Sequence, residues 1–271
     1  MLLHHLALVS TSKKISAADL SLTAAALQKQ ATRDLGPIWG IRATVDAFPN
    51  LRSVPVGYWP IIVMDNIHSA DAAGYHADNH HQPFSRVLAD ESWQLTCSHE
   101  MCEMLVDPFG NRMVTSNSIG KDKGRVQYLV EVCDPCEGAQ FAYSVNGILM
   151  SDFYTPHFFD PIVNSAVRYS YTGGLKHPLE VAKDGYLSWY NPTEKKWYQA
   201  TWFGTKMKIS DITGSMDGKG SLRNQVDRIT KNPNFLSGYK KALAGRKPQF
   251  TENEASMNAY GEHLERVVFG E

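Results

Sequence analysis

The chain has 271 residues, 43% of them hydrophobic and 20% charged, the balance of a protein able to bury a full core without disulfides or an obligate partner. Its 27 basic and 28 acidic residues give a formal charge of -1 and a pI of about 6.8, so no positive excess exists to neutralise a phosphate backbone or an anionic membrane. Nucleic acid and membrane are thus excluded as first expectations, no run approaches the roughly 20 apolar residues of a membrane span, and oligomeric state is left open.

In chain order, the opening MLLHHLALVS lacks the basic start of a secretory signal and reads as a core strand around Leu6 to Val9. Ser16, with Asp19 three residues on, caps a helix whose Leu20, Ala24, Leu27, Ala31 and Leu35 share one face, and Gly36-Pro37 predict its end. Ile41 to Phe48 and Trp59 to Met64 read as strands, the second an interior one. Asp, Asn and His crowd Ala72 to Gln82, which predicts a loop. Pro83 then sets the next strand, Phe84 to Ala89, at a sheet edge, where an extended peptide can pair. Asp90 is the expected cap of a helix running to Val106 and ended by Pro108 and Gly110.

Val126 to Cys133 is strand-like, and Asn146-Gly147 joins two short runs as a hairpin. From Asp160 to Phe203 the density of Tyr, Trp, Gly and Pro predicts irregular or β-rich structure. Gly214, Gly218 and Gly220 mark residues 210–221 as a loop, and helices are expected near Leu222 to Lys231 and Glu252 to Val268. The order predicts an α/β (α+β) fold with a first domain over residues 1–160 and an aromatic, Gly-rich C-terminal subdomain over 161–271.

The segment Thr96 to Pro108 carries the most chemistry. Cys97, Met101, Met104 and Leu105 share a face suited to core packing, while His99 and Glu103 stand one turn apart, so an imidazole and a carboxylate converge with Glu100 beside them. That is the geometry of an HExxH zinc helix with the second ligand exchanged for a carboxylate. On an exposed helix the same residues would be a solvated face. For a third donor, Asp107 lies roughly 12 Å along the axis from His99 at about 1.5 Å per residue, so it joins only if the helix ends early, which Pro108 permits. Glu131 stands inside the apolar run Tyr128 to Cys133, where a carboxylate must be neutralised, bound to metal or paired, with Arg112 or Arg125 as the pairing candidates.

Cys133-Asp134-Pro135-Cys136 has the C-x-x-C spacing, yet Cys97 and Cys102 diverge on their helix, so free, buried thiols are expected rather than a zinc site of four cysteines. Four cysteines in a chain this long fit a reducing, cytoplasmic setting. One of His76, His80 and His81 is within reach of the site as ligand or donor, although such a segment is more often a solvated turn. Met150 or Tyr154 can sit beneath or beside an ion, and core packing accounts for both equally well.

Strands leading to an edge strand and then to a helix bearing His99, Glu100 and Glu103 resemble the zincin group of metallopeptidases over roughly residues 1–160. Ser98-His99-Glu100, Glu131-Val132-Cys133-Asp134-Pro135 and Val145-Asn146-Gly147 are also similar to segments of bacterial proteins of this size. The resemblance implies a zincin-like mixed sheet with its edge strand packed against the metal-site helix. It implies Zn2+ held at His99 and Glu103, with Glu131 or Asp107 completing the set, and Glu100 as the general base that takes the proton from the attacking water. A peptide or protein substrate would lie along Phe84 and Val87, with Tyr154 as a donor to the developing oxyanion. The added negative charge of Glu103 lowers the Lewis acidity of the ion and admits Mn2+. The alternative is a non-catalytic binding or assembly protein on a degenerate zincin scaffold, its carboxylates in salt bridges and residues 153–203 offering an interaction surface.

Overall fold

Residues 2–69, 72–120 and 124–244 are described in a computed structural model. They form a mixed α/β fold with two five-stranded sheets and one short hairpin. The first strand, β1 (Leu3–Ser10), has four consecutive fully buried residues, Leu6 to Val9, because both faces of a central parallel strand are covered. It is flanked by β2 (Arg42–Phe48) and β3 (Tyr58–Met64), both parallel to it. Two further strands, β4 (Gly74–Asn79) and β5 (Gln82–Leu88), complete the order β2-β1-β3-β5-β4. β5 runs parallel to β3, and β4 is antiparallel to β5.

This corrects the expected edge. The supposed loop at 72–82 contains β4, which is the edge strand, and β5 with Phe84 and Val87 is interior. His80 and His81 have φ of 51° and 64°, the left-handed backbone of a two-residue hairpin turn, and two histidines carry none of the usual Asn-Gly signal for it. Pro83 pairs opposite Asp78 near the mouth of that hairpin, where a missing N–H costs little.

The helix α1 (Ala17–Lys29) starts as expected: Asp19 N donates to Ser16 Oγ at 3.0 Å and the Ser16 hydroxyl donates to Asp19 Oδ2 at 2.6 Å. It does not end at Gly36-Pro37. The chain widens into a π turn over Gln30–Leu35 and continues as α2 (Gly36–Trp39) until Gly40, whose φ of 66° closes the helix. Proline is tolerated there because it occupies the first turn of a new helical segment, where its missing N–H has no partner to lose.

The helix α3 (Trp93–Val106) begins after Ser92, and Asp90 Oδ1 accepts from Ser92 N and Oγ instead of capping the helix itself. Cys97, Met101 and Met104 are fully buried on one side. Ser98, Cys102 and Glu103 are fully buried on the remaining faces, so the helix is enclosed all round by the first sheet and by the segments that follow it. Ser98 ties these layers together, accepting from Ser151 N and donating to Gln30 Oε1, each at 2.8 Å.

The second sheet is antiparallel, in the order β12-β11-β10-β7-β6. Its strands are β6 (Met113–Asn117), β7 (Arg125–Leu129), β10 (Tyr186–Asn191), β11 (Lys196–Thr201) and β12 (Lys208–Asp211). Between them, β8 (Tyr143–Val145) and β9 (Ile148–Met150) form the expected hairpin, with Asn146 and Gly147 at φ 50° and 79°. Because β7 pairs with β10, the sheet crosses the expected boundary at residue 160, and one hydrophobic core extends from Leu6 to Ala200.

β7 stops at Leu129, so Glu131 lies beyond the strand rather than within it, leading to a tight turn at Asp134–Cys136. Gly185 crosses that turn closely: a Cβ on it would fall 2.5 Å from Pro135 O and 2.8 Å from Asp134 O. Two helices follow, α4 (Leu222–Ile229), capped by Ser221, and the unanticipated α5 (Phe235–Ala244). The helix expected at Glu252 to Val268 lies outside the described residues. Among the described residues no helix is long and apolar enough to cross a membrane.

Candidate metal centre

Four elements converge on one buried polar cluster. α3 supplies His99, Glu100 and Glu103, the edge strand β4 supplies His76, the stretch after β7 supplies Glu131 and Asp134, and α4 supplies Arg223 and Asp227. His76, Glu103 and Asp134 are at most 1% exposed, and Glu100, Glu131 and Arg223 no more than 4%. So many buried carboxylates are stable only with cations or protons among them.

Arg223 is one such cation. Its Nη1 donates to Glu131 Oε2 at 2.7 Å and to Asp134 Oδ2 at 2.8 Å, its Nη2 lies 2.8 Å from Glu103 Oε2, and its Nε lies 2.8 Å from Asp227 Oδ1. The expected partners Arg112 and Arg125 bind carbonyl oxygens instead, of Val106 and Thr115 respectively. Glu131 is therefore an anchor for Arg223.

The other oxygens of Glu103 and Asp134 face His99. Its Nε2 lies 3.4 Å from Glu103 Oε1 and 3.3 Å from Asp134 Oδ1. These separations exceed the range of about 2.7–3.2 Å for a good hydrogen bond and approximate the distance of about 3.3 Å between neighbouring donors around tetrahedral zinc. Three donor sets, each with its atoms within 4.8 Å of one another, occur here: His76, Glu100 and Glu103; His99, Asp134 and Glu137; and Glu103, Glu131 and Asp134. Arg223 bonds across the third.

On the far side of Glu103, His76 Nε2 lies 3.1 Å from the Asp107 carbonyl oxygen, and Nδ1 lies 3.6 Å from Glu100 Oε2 and 3.8 Å from Glu103 Oε2. A carbonyl only accepts, so Nε2 carries the proton and a neutral His76 turns a lone pair toward Glu100. His76 Nδ1, Glu100 Oε2, Glu131 Oε1 and Asp134 Oδ1 are all buried without a hydrogen-bond partner among the described residues.

The proton affinities follow from this crowding. Burial opposes charge on His99, but Glu103, the Cys133 thiol and Asp134 outweigh it and hold the imidazole well above its ordinary pKa. Burial likewise works against ionised Glu103, yet Arg223 and His99 hold its carboxyl below the usual range. Burial pushes Glu131 well up, and Asp134 to about 6, against the pull of Arg223. Burial and the neighbouring Asp134 raise Glu137 to about 8, and burial raises Asp227 to about 7 against Arg223. Carboxyls that retain protons near neutral pH mark a negative site short of cations.

A cleft of about 280 Å³ opens directly onto His99, Glu100 and Arg223. Gly74, where β4 begins, forms part of its wall, and a Cβ there would meet Thr96 Cγ2 at 2.6 Å and Glu100 Oε1 at 3.0 Å. Glycine thus allows the edge strand to pass close to Glu100.

Of the residues singled out from sequence, His99, Glu100, Glu103 and Glu131 do come together. Asp107 does not join as a ligand: its Oδ2 accepts from Arg112 N at 2.7 Å, and it touches the site through its carbonyl on His76. Val87 is fully buried on the interior strand and Phe84 packs edge-on against Tyr75, so neither borders the cleft. Tyr154 is fully buried behind the carboxylates, stacked on Phe158 at 4.3 Å between centroids. His80 and His81 make the hairpin turn, and Met150 is core. All four cysteines are free and buried.

Sequence reasoning misses Asp134, Arg223, Asp227 and Glu137 as site residues. Asp134 sits between two cysteines, which draw the eye to thiol chemistry, and the only local sign in α4 is the i, i+4 spacing of Arg223 and Asp227. No family model, curated protein or solved structure matches the chain.

Proposed function

We propose that the chain is a metal-dependent hydrolase of peptide bonds, with a divalent ion held by His99, Glu103 and Asp134. The observation that carries this reading is the pairing of one oxygen from each of two carboxylates with His99 Nε2 at 3.3–3.4 Å while Arg223 engages the other oxygen of each. One imidazole and two carboxylates suit zinc, or manganese as a harder alternative. The position of α3, which carries His99, Glu100 and Glu103, next to an edge strand supports it, with β4 rather than β5 as the strand beside the cleft.

A divalent ion there supplies the positive charge that makes water nucleophilic near neutral pH and polarises a carbonyl. Glu100, which lines the cleft, would take a proton from a water bound there. His76, its Nε2 proton held by the Asp107 carbonyl, offers Nδ1 at 3.6 Å as the next acceptor. Arg223 keeps Glu103 ionised and aimed at His99. An extended peptide pairing with the outer side of β4 would bring a carbonyl past Gly74 toward Glu100. The four unpaired, buried cysteines support a reducing, cytoplasmic setting.

The test is Glu100→Gln, measured for metal content and peptide hydrolysis together. Expected are near-stoichiometric metal and a loss of turnover of about 10²–10⁴-fold; equal turnover by the metal-loaded variant and the unmutated chain removes Glu100 as base. A second reading draws on Arg223, which alone engages four carboxylates: a binding or assembly protein in which the guanidinium completes a structural ion network. Purified protein that takes up neither zinc nor manganese on supplementation favours that reading.

A further inference from the structure

The cleft is acidic. Asp90, Glu100, Glu137 and Asp227 all line it. The basic side chains on its wall are His99, directed at Glu103 and Asp134, and Arg223, already engaged by four carboxylates. A single divalent ion does not balance this set. Glu100 Oε2, buried and unpartnered, points to the same deficit. Leu88, Tyr186, Pro233, Phe235 and Leu236 add apolar surface to the same lining.

An acidic group entering such a partly desolvated space meets repulsion that water screens poorly, whereas a cation gains from every carboxylate in reach. A ligand suited to both kinds of lining has an aliphatic stem and a positive tip. Glu137 is the carboxylate best held for this, since Asn232 Nδ2 fixes its Oε1 at 2.8 Å and is itself tied to the Asp184 carbonyl at 2.7 Å.

We propose that this cleft selects peptides through a primary ammonium on an aliphatic stem, either a lysine side chain or a free amino terminus, received by Glu137 and Asp90. The inference takes the peptide from the hydrolase reading, and it concerns recognition rather than the chemical step.

The test is fluorescence anisotropy on the zinc-loaded full chain, with a carboxy-terminally labelled Ala/Ser decapeptide bearing one central lysine. Matched peptides carry Nε-acetyl-lysine, glutamate or an acetylated amino terminus, and mass spectrometry confirms that each stays intact. Removing the ammonium that the cleft reads should weaken binding by about tenfold or more. Loss on lysine acetylation identifies the side chain as the source, and loss on terminal acetylation identifies the amino terminus. Asp90→Asn should narrow that ratio with zinc content unchanged, and Glu137→Gln, compared at equal zinc content because Glu137 also stands in a donor set with His99 and Asp134, should narrow it as well. Affinities within about twofold across the series, no measurable binding of any peptide, or an unchanged ratio in both variants each overturn the proposal. Because binding is read without turnover, a chain that prefers ammonium but cleaves nothing loses only the hydrolase reading. Cleavage blind to charge removes only this inference.

Discussion

At the scale of single residues, the centre is governed by how carboxylate charge is shared. Arg223 reaches Glu103, Glu131, Asp134 and Asp227 while 3% exposed, so its removal leaves several buried anions without a cation. Arg223→Met in the chelated chain should cost about 3–5 kcal/mol, seen as a lower urea midpoint. A midpoint unchanged within error would mean that the acids are protonated and indifferent to the guanidinium. Asp134→Asn keeps the shape but weakens the donor, so it should lose metal while Glu131→Gln keeps it. Equal metal loss from the two variants would return Glu131 to the ligand set.

At the scale of elements, the centre depends on how closely α3 and the turn at Asp134–Cys136 are held. Ser98 Oγ joins α3 to Gln30 in the π turn and to the backbone after β9. Ser98→Ala leaves Ser151 N and Gln30 Oε1 without their partner in the interior and should cost about 1–3 kcal/mol by urea unfolding. Gly185 lets the start of β10 lie against Pro135 and Asp134 without a clash. Gly185→Ala must displace backbone rather than a flexible side chain, so metal affinity should fall although no ligand is changed, measured by competition with a chromophoric chelator. An unaltered affinity would separate the turn from the site.

At the scale of the whole molecule, the metal-free chain should respond to pH in the direction opposite to common acid denaturation. Asp134 is raised from 3.8 to about 6, Asp227 from 3.8 to about 7 and Glu137 from 4.5 to about 8. Over those intervals the folded state binds more protons than the unfolded one, so stability falls as pH rises. His99 and His76, both raised above 6.5, act in the same direction, because the stability they contribute is present below 6.5 and lost as pH climbs through their folded values. His4, lowered by burial, opposes them, and Glu103, lowered from 4.5, withdraws stability only at more acidic pH. The melting temperature in EDTA should therefore be higher near pH 5.5 than near pH 8, and a rise toward pH 8 would contradict the buried acid cluster. A saturating ion reverses the preference, since it competes with those protons. At about 1,000 times its dissociation constant it adds about 4 kcal/mol.

What the sequence determined by itself is what short-range geometry determines. The i, i+4 spacing of His99 and Glu103, the Ser16 cap, the Asn146-Gly147 hairpin and the buried run Leu6 to Val9 depend on residues within a turn or two of one another, and they stand in the fold as read. The sheet edge, the early end of β7 and the partner of Glu131 were decided by tertiary structure. Arg223 meets Glu131 across 92 positions and Asp134 across 89, and His76 reaches the Asp107 carbonyl across 31. No local periodicity encodes such meetings, because they arise when separate apolar surfaces pack and carry polar side chains inward with them. The helix supplied one face of the centre, and burial by β4, the Asp134–Cys136 turn and α4 supplied the rest.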